Sequence, residues 1–209
     1  MTPLVFISAV SPAAKTSMES THIPASFVVA DAALESGWGN SLLTTEAMNL
    51  FGVKADSSWH GPVFNINTRE FLDGRWCMEL AGFRKYTDWL GSINDHAAFL
   101  IDNERYSAAF ACTDGPSFAT AVANAGYATD PDYAQKIIEI INAHNLAALD
   151  SVVVQTAVPK TPITPYVVVT PAVLRSSGPL PVKAPDPTPP QPVTPANTSG
   201  FWGWVKKFF

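Results

Sequence analysis

Apolar positions recur every third or fourth residue through much of the first 150 residues, and that rhythm is broken once in the middle. Ser11 to Ser20 reads as a first helix. The run "PASFVVADAALESG" opens on Pro24 and carries Phe27, Val28, Ala30 and Leu34 at near-helical spacing. It stops at Gly37, a residue suited to the left-handed backbone that ends helices. "SINDHAAFLIDN" places Ile93, Ala97, Leu100 and Ile101 on one stripe, and "GPSFATAVANAG" runs from Pro116 to Gly126. "PDYAQKIIEIINAHNLAALD" sets Tyr133, Ile137, Ile140 and Ile141 along a face that reaches His144 or Asn145.

The interruption lies between "NLFGVKADSSWHG" and "VFNINTREFLDGRWCMELAGFRKY". There the period shortens to two, with Val63, Asn65 and Asn67 against Phe64 and Ile66, then an Asp73-Gly74 turn and a second run from Trp76. That is the pattern of a β-hairpin inserted between helices. The expected fold class is α+β, mainly α: a helical lobe, a small β-hairpin lobe and a cleft between them, where a ligand site would lie.

After Ser151 the rhythm disappears. Twelve of the eighteen prolines fall there, and residues 151–200 read as an extended, flexible linker. The chain then closes on "FWGWVKKFF", residues 201–209, five aromatics and two lysines in nine residues. That composition suits weak contact with a membrane interface, a protein partner, or docking back on the domain. The domain boundary is expected near residue 150.

Charge follows the same division. Up to Asp150 eight Lys/Arg face seventeen Asp/Glu, a net of −9, whereas the remainder carries a net of +4. An acidic domain argues against nucleic acid as partner, because phosphates demand a basic face. The opening "MTPLVFISAVSPAAK" has its first lysine, Lys15, after the apolar patch, the wrong order for a secretory signal. No run reaches the roughly 18 apolar residues of a membrane-spanning helix. The expectation is synthesis in the cytoplasm, with release or dedicated export needed for any action outside it. Cys77 and Cys112 could form one bridge but no disulfide framework.

Chemistry narrows next. There is no Gly-x-Ser-x-Gly elbow, phosphate loop or dinucleotide fingerprint. His22, His60, His96 and His144 lack His-x-x-x-His spacing, so neither a metal nor a cofactor is expected. His60 could touch a ligand from the β-lobe or be a plain loop residue. What remains is Glu35, closing an apolar helix and followed at once by Trp38. It is either a solvated helix end or an acid pressed against an indole, where burial favours the neutral carboxyl. A protonated carboxyl can pass its proton to a leaving oxygen, as glycosidic cleavage requires.

Five blocks occur in order: "AALESGWGNS", "NLFGVKADSSWHGP", "NTREFLDGRW", "FRKYTDWLGSINDHAAFL" and "NAGYATDPDYAQKIIEII". Together they resemble the family 73 glycoside hydrolases, peptidoglycan β-N-acetylglucosaminidases with a lysozyme-like fold. The resemblance covers roughly residues 5–146. It implies an endo-β-N-acetylglucosaminidase acting on bacterial peptidoglycan as a monomer, with Glu35 as general acid. In "NTRE", Thr68 and Glu70 match the family's Thr-x-Glu on the hairpin, so Glu70 would activate water or brace the developing positive charge; an exposed strand glutamate is the alternative. Tyr127 in "GYATDP" matches a cleft tyrosine, and Tyr133 looks like helix packing.

Asn49, Phe51 and Gly52 would shape the cleft floor, with Phe51 equally readable as core. Trp38 and Trp59 would stack on sugars, and Trp38 could also be the wall beside Glu35. Asp95 falls where relatives carry a helix aspartate, structural or substrate-binding. Met78 beside Cys77 is less polar than a solvated hairpin usually is. Two rival functions remain: a non-catalytic peptidoglycan-binding module using the same cleft, and a cysteine-dependent amidase using Cys77 with His60 or His96.

Overall fold

The computed structural model describes residues 1–72 and 75–151, and for residues 69–76 no side chains. Six α-helices and a two-stranded antiparallel hairpin are found among these residues: α1 (Pro3–Thr21), α2 (Ala25–Ser36), α3 (Leu42–Ala47), β1 (Val63–Leu72), β2 (Arg75–Arg84), α4 (Trp89–Asp102), α5 (Gly115–Asn124) and α6 (Tyr133–Ala143). Short 3-10 helices span Glu104–Ala111 and Leu146–Asp150. The expected mainly α architecture with one small hairpin is therefore present. The Asp73-Gly74 turn, all but the first residue of the 151–200 linker, and the 201–209 tail lie outside the described residues.

The organising element is α2. Ten of its twelve residues are buried, which is why its apolar residues do not keep to one narrow stripe. It packs against α1, α5, α6 and the 3-10 helix Leu146–Asp150. Alanines at 25, 30, 32 and 33 let these neighbours approach closely, around a core that includes Phe6, Phe27, Phe118, Tyr133 and Ile137. Gly115, at the start of α5, shows how close the approach is. A Cβ there would lie 2.1 Å from Ser26 Oγ and 2.9 Å from the Phe27 backbone nitrogen.

The same corner is tied by Asp150. Its Oδ1 accepts the Ser26 N–H (2.7 Å), and its Oδ2 accepts the Ser26 hydroxyl (2.6 Å) and the Gly115 N–H (3.3 Å). One carboxylate thus serves the first turns of α2 and α5, where unpaired backbone donors and the helix dipoles favour negative charge.

Two boundaries differ from expectation. The first helix begins at Pro3, eight residues before Ser11, and carries Pro12 inside it. Phe6, Val10, Ala14 and Ser17 are buried at three-to-four spacing, so tertiary packing continues the helix through a proline that would otherwise mark a start. The helix containing Asp95 likewise begins at Trp89, because the Asp88 side chain accepts the Gly91 N–H at 2.8 Å and caps it.

The hairpin pairs Val63 with Arg84 through to Leu72 with Arg75. Residues 53–55 run beside β2, with Ala55 N–H on Gly82 O (2.9 Å) and Arg84 N–H on Val53 O (3.0 Å), so the hairpin root gains a short third lane. Alternation holds as expected: Thr68 is buried, while Asn65 and Asn67 face solvent. The apolar departure is real, since Met78 and Leu80 are each 66 % exposed. Cys77 and Cys112 form no disulfide. No described helix is long and apolar enough to cross a membrane.

Candidate active site

Glu35 occupies the last turn of α2, half-buried, and only it and Leu34 escape full burial in that helix. The Gly-Trp-Gly that follows is a left-handed cap. Gly37, Trp38 and Gly39 have φ of 59°, 59° and 71°. Trp38 N–H returns to Ala33 O at 2.9 Å, and Gly39 N–H binds Ser36 Oγ at 2.8 Å. An aromatic residue at positive φ carries a cost of about 1–2 kcal/mol. Packing holds it there: the Trp38 ring meets Phe6 edge-on at 6.0 Å and His144 at 5.0 Å. The motif therefore reverses the chain directly after the acid and fixes where the helix ends.

One turn earlier on α2 sits Asp31, fully buried. Tyr127 donates its hydroxyl to Asp31 Oδ2 (2.9 Å) and Tyr133 donates to Oδ1 (2.8 Å). Nε2 of His96, on α4, lies 2.5 Å from the Tyr127 hydroxyl oxygen and 3.7 Å from Asp31 Oδ2. With the Tyr127 proton given to Asp31, this short contact requires the His96 Nε2–H to donate to Tyr127. Phe51 stacks on the His96 ring at 4.1 Å and 19°, closing the group from one side. Burial pushes both phenols well above their ordinary range. The charges of Asp31 and of Glu35 add to the rise at each of them.

A second cluster sits at the hairpin root. Arg84 grips Asp95 through Nη1 (2.7 and 3.0 Å) and reaches Asp56 through Nη2 (3.1 Å). Tyr86 donates to Asp95 Oδ2 at 2.7 Å, and burial followed by that carboxylate raises its phenol strongly. Trp59 lies under the Arg84 guanidinium at 4.9 Å, meets Tyr86 edge-on at 5.6 Å, and donates its indole N–H to Pro62 O at 2.9 Å.

Asn49, buried behind this cluster, donates to Val53 O (3.0 Å) and Arg84 O (2.8 Å) and accepts the Val53 N–H (3.1 Å). The "NLFGV" stretch is thereby fastened to β2.

The sequence-derived residues thus fall into distinct groups. Glu35 stands at the end of α2, with Tyr127 in the buried network beside it and Phe51 packed over His96. Asp95, Trp59 and Asn49 belong to the hairpin root, and Trp38 belongs to the helix cap. Glu70 pairs with Cys77 in the strand register, and its side chain lies outside the described residues. His60 is exposed. His96, weighed as a thiol partner for Cys77, is buried and engaged with Tyr127. Among the described residues no group of His, Cys, Asp and Glu could hold a metal ion.

Sequence reasoning passed over Asp31, Arg84 and Tyr86. Asp31 did leave a signal: a single charge inside "FVVADAAL", four residues before Glu35, cannot be buried without partners. Tyr133, expected as helix packing, is both packed and hydrogen-bonded.

Comparison with known proteins supplies the chain's relatives. The glucosaminidase family, described as mannosyl-glycoprotein endo-beta-N-acetylglucosaminidase, matches residues 11–146. The peptidoglycan hydrolase FlgJ of Salmonella typhimurium is 40 % identical over 140 residues, covering 65 % of this chain and 44 % of that protein. The exo-glucosaminidase LytG of Bacillus subtilis is 37 % identical over 153 residues, covering 71 % and 54 %. The chain thus spans about half the length of these curated relatives. A structure of the C-terminally truncated glycoside hydrolase domain of Salmonella typhimurium FlgJ superposes with a TM-score of 0.61 at 38 % identity, covering 68 % of this chain and 97 % of that one.

Proposed function

This chain belongs to the glucosaminidase family, and from that premise we propose that it hydrolyses β-1,4 glycosidic bonds in the glycan strands of bacterial peptidoglycan. The observation that supports the mechanism is the placing of Glu35: half-exposed at a capped helix end, one turn beyond a buried Asp31 that Tyr127 and Tyr133 tie to the rest of the domain. Its carboxyl gives its proton to the glycosidic oxygen as the bond from that oxygen to the anomeric carbon breaks. Water supplies the new oxygen at the anomeric carbon. Glu70 on β1 takes the water's proton or braces the positive charge on the sugar ring.

Tyr127 and Asn49 act through position in this reading. The Tyr127 hydroxyl meets Asp31 and His96, and Asn49 spends its amide on Val53 and Arg84. Trp59 and Asp95 set the hairpin root from which β1 carries Glu70. The relatives' names, peptidoglycan hydrolase and exo-glucosaminidase, support cell-wall glycan as the substrate class, and in this reading the protein acts at the bacterial wall after release or export. The division into a catalytic domain to residue 150, a linker to 200 and an aromatic tail that touches a membrane interface is part of the same proposal, as is a monomeric active state.

The test is release of reducing sugar from purified peptidoglycan by the wild-type chain and Glu35→Gln. The variant should lose activity by about 10²–10⁴-fold while melting at the same temperature. Full activity in Glu35→Gln would overturn the assignment. Binding to peptidoglycan with no fragments from the wild type would favour a binding module instead.

A further inference from the structure

We propose that Asp31 is a positioning residue of the reaction: a buried fixed negative charge, one helical turn below Glu35, that keeps the Glu35 carboxyl protonated for its role as acid. This rests on Glu35 being the general acid, and it adds what sets that acid's protonation.

Geometry carries the inference. Residues four apart on an α-helix share a face, with Cβ atoms about 5–6 Å from each other. Asp31 and Glu35 stand in that relation on α2, one fully buried and the other half-buried. Asp31 is held as an acceptor: two tyrosine hydroxyls donate to it, one to each oxygen. The His96 Nε2–H, donating to Tyr127, strengthens the Tyr127 bond by polarising it. Both Asp31 oxygens are thus spent as acceptors, the geometry a carboxylate offers to two hydroxyl donors.

The ionisable groups around Asp31 and the two phenols come from several elements. Asp31 lies on α2, His96 on α4, Tyr133 on α6, Tyr127 in the loop before α6, and Tyr106, from the 3-10 helix Glu104–Ala111, edge-on to Tyr127 at 6.0 Å. Asp31 is the carboxylate among them, and Asp31 and Glu35 act together on the same two phenols. A second negative charge at Glu35 would therefore be added to one already present in a poorly solvated place, and that favours the protonated acid. The Trp38 ring packs on Phe6 and His144, and Asp31 supplies a charged floor one turn below the acid.

The experiment is the pH dependence of kcat/KM on solubilised peptidoglycan for the wild type and Asp31→Asn, with Glu35→Gln as control. Asparagine keeps the shape and one acceptor but removes the charge. The alkaline limb, where the general acid loses its proton, should move to lower pH by about one unit. Activity above neutrality should then fall up to about tenfold, with the acid-side plateau kept within about twofold. A uniform loss at every pH, or an alkaline limb that stays in place, would overturn the proposal.

If Asp31→Asn does not fold, a 13C titration of the Glu35 carboxyl in the wild-type chain decides instead. An ordinary glutamate value there rejects the proposal, and a raised one supports it. Loss of activity in Glu35→Gln together with an unmoved limb in Asp31→Asn rejects only this inference. An active Glu35→Gln rejects the mechanism beneath it.

Discussion

Two carboxylates in this domain are held by tyrosine, and they are held differently. Asp95, at the hairpin root, meets an arginine in bidentate contact, with Tyr86 as a third donor, and its side chain remains 20 % exposed. Its charge is neutralised where it stands, and the grouping works as a bolt between β2 and α4. Asp31 is received in full burial by two phenols and, at longer range, by an imidazole. The first arrangement stabilises by pairing opposite charges in a place water still reaches. The second receives a carboxylate with phenol donors, one helical turn before Glu35. Tyrosine serves both, beside an arginine fork in one and beside a second tyrosine in the other.

The largest expected break in that contrast is Asp31→Ala. It leaves two buried hydroxyls without their acceptor and should cost about 3–5 kcal/mol, read as a lowered denaturant midpoint. Asp95→Ala should cost only about 1–2 kcal/mol, because Arg84 retains Asp56 and has access to water. Equal costs would erase the distinction.

Removing one donor from each cluster gives a smaller test. Tyr133→Phe should destabilise by about 1–2 kcal/mol and Tyr86→Phe by about 1 kcal/mol. Arg84→Lys should resemble the latter, since lysine cannot reproduce the fork on Asp95.

The smallest effect concerns acid. The Ser58 hydroxyl and N–H, more than Arg84, hold the Asp56 carboxyl below its ordinary value. A depressed folded value means stability that is complete above the unfolded value and lost as pH falls through the folded one. The melting-temperature gap between the wild type and Asp56→Asn, about 1–2 °C at pH 6, should close below pH 4.

Much of this fold can be read from the chain because its local signals agree with one another. Pro24 and Gly37 bracket α2 as their backbone preferences require, and the two-residue alternation from Val63 to Asn67 marks β1. The failures share a physical cause. α1 runs through Pro12 because four buried contacts outweigh one lost hydrogen bond, and such contacts are not local. α3 is too short to display a period.

At the site, "LESGWG" and its company of motifs mark Glu35 as the candidate acid, and Gly37 ends its helix as expected. Asp31 was overlooked because its partners lie 65, 96 and 102 residues away in sequence, at His96, Tyr127 and Tyr133. Trp38, expected to stack on sugars or wall Glu35, has a left-handed backbone and packs its ring on Phe6 and His144, contacts that no local pattern announces.

The Asp150 clasp has a mechanical consequence. Three segments far apart in the chain are pinned at the first turn of α2 by one carboxylate. The acid stands about 14 Å further along the same helix, at a rise of about 1.5 Å per residue. Whatever the chain carries beyond Ser151 is therefore attached at the clamped end of a beam whose other end carries Glu35, the proposed acid. The point of attachment and the proposed acid thus lie at opposite ends of one helix, with the hydrogen bonds of Ser26, Gly115 and Asp150 at the near end.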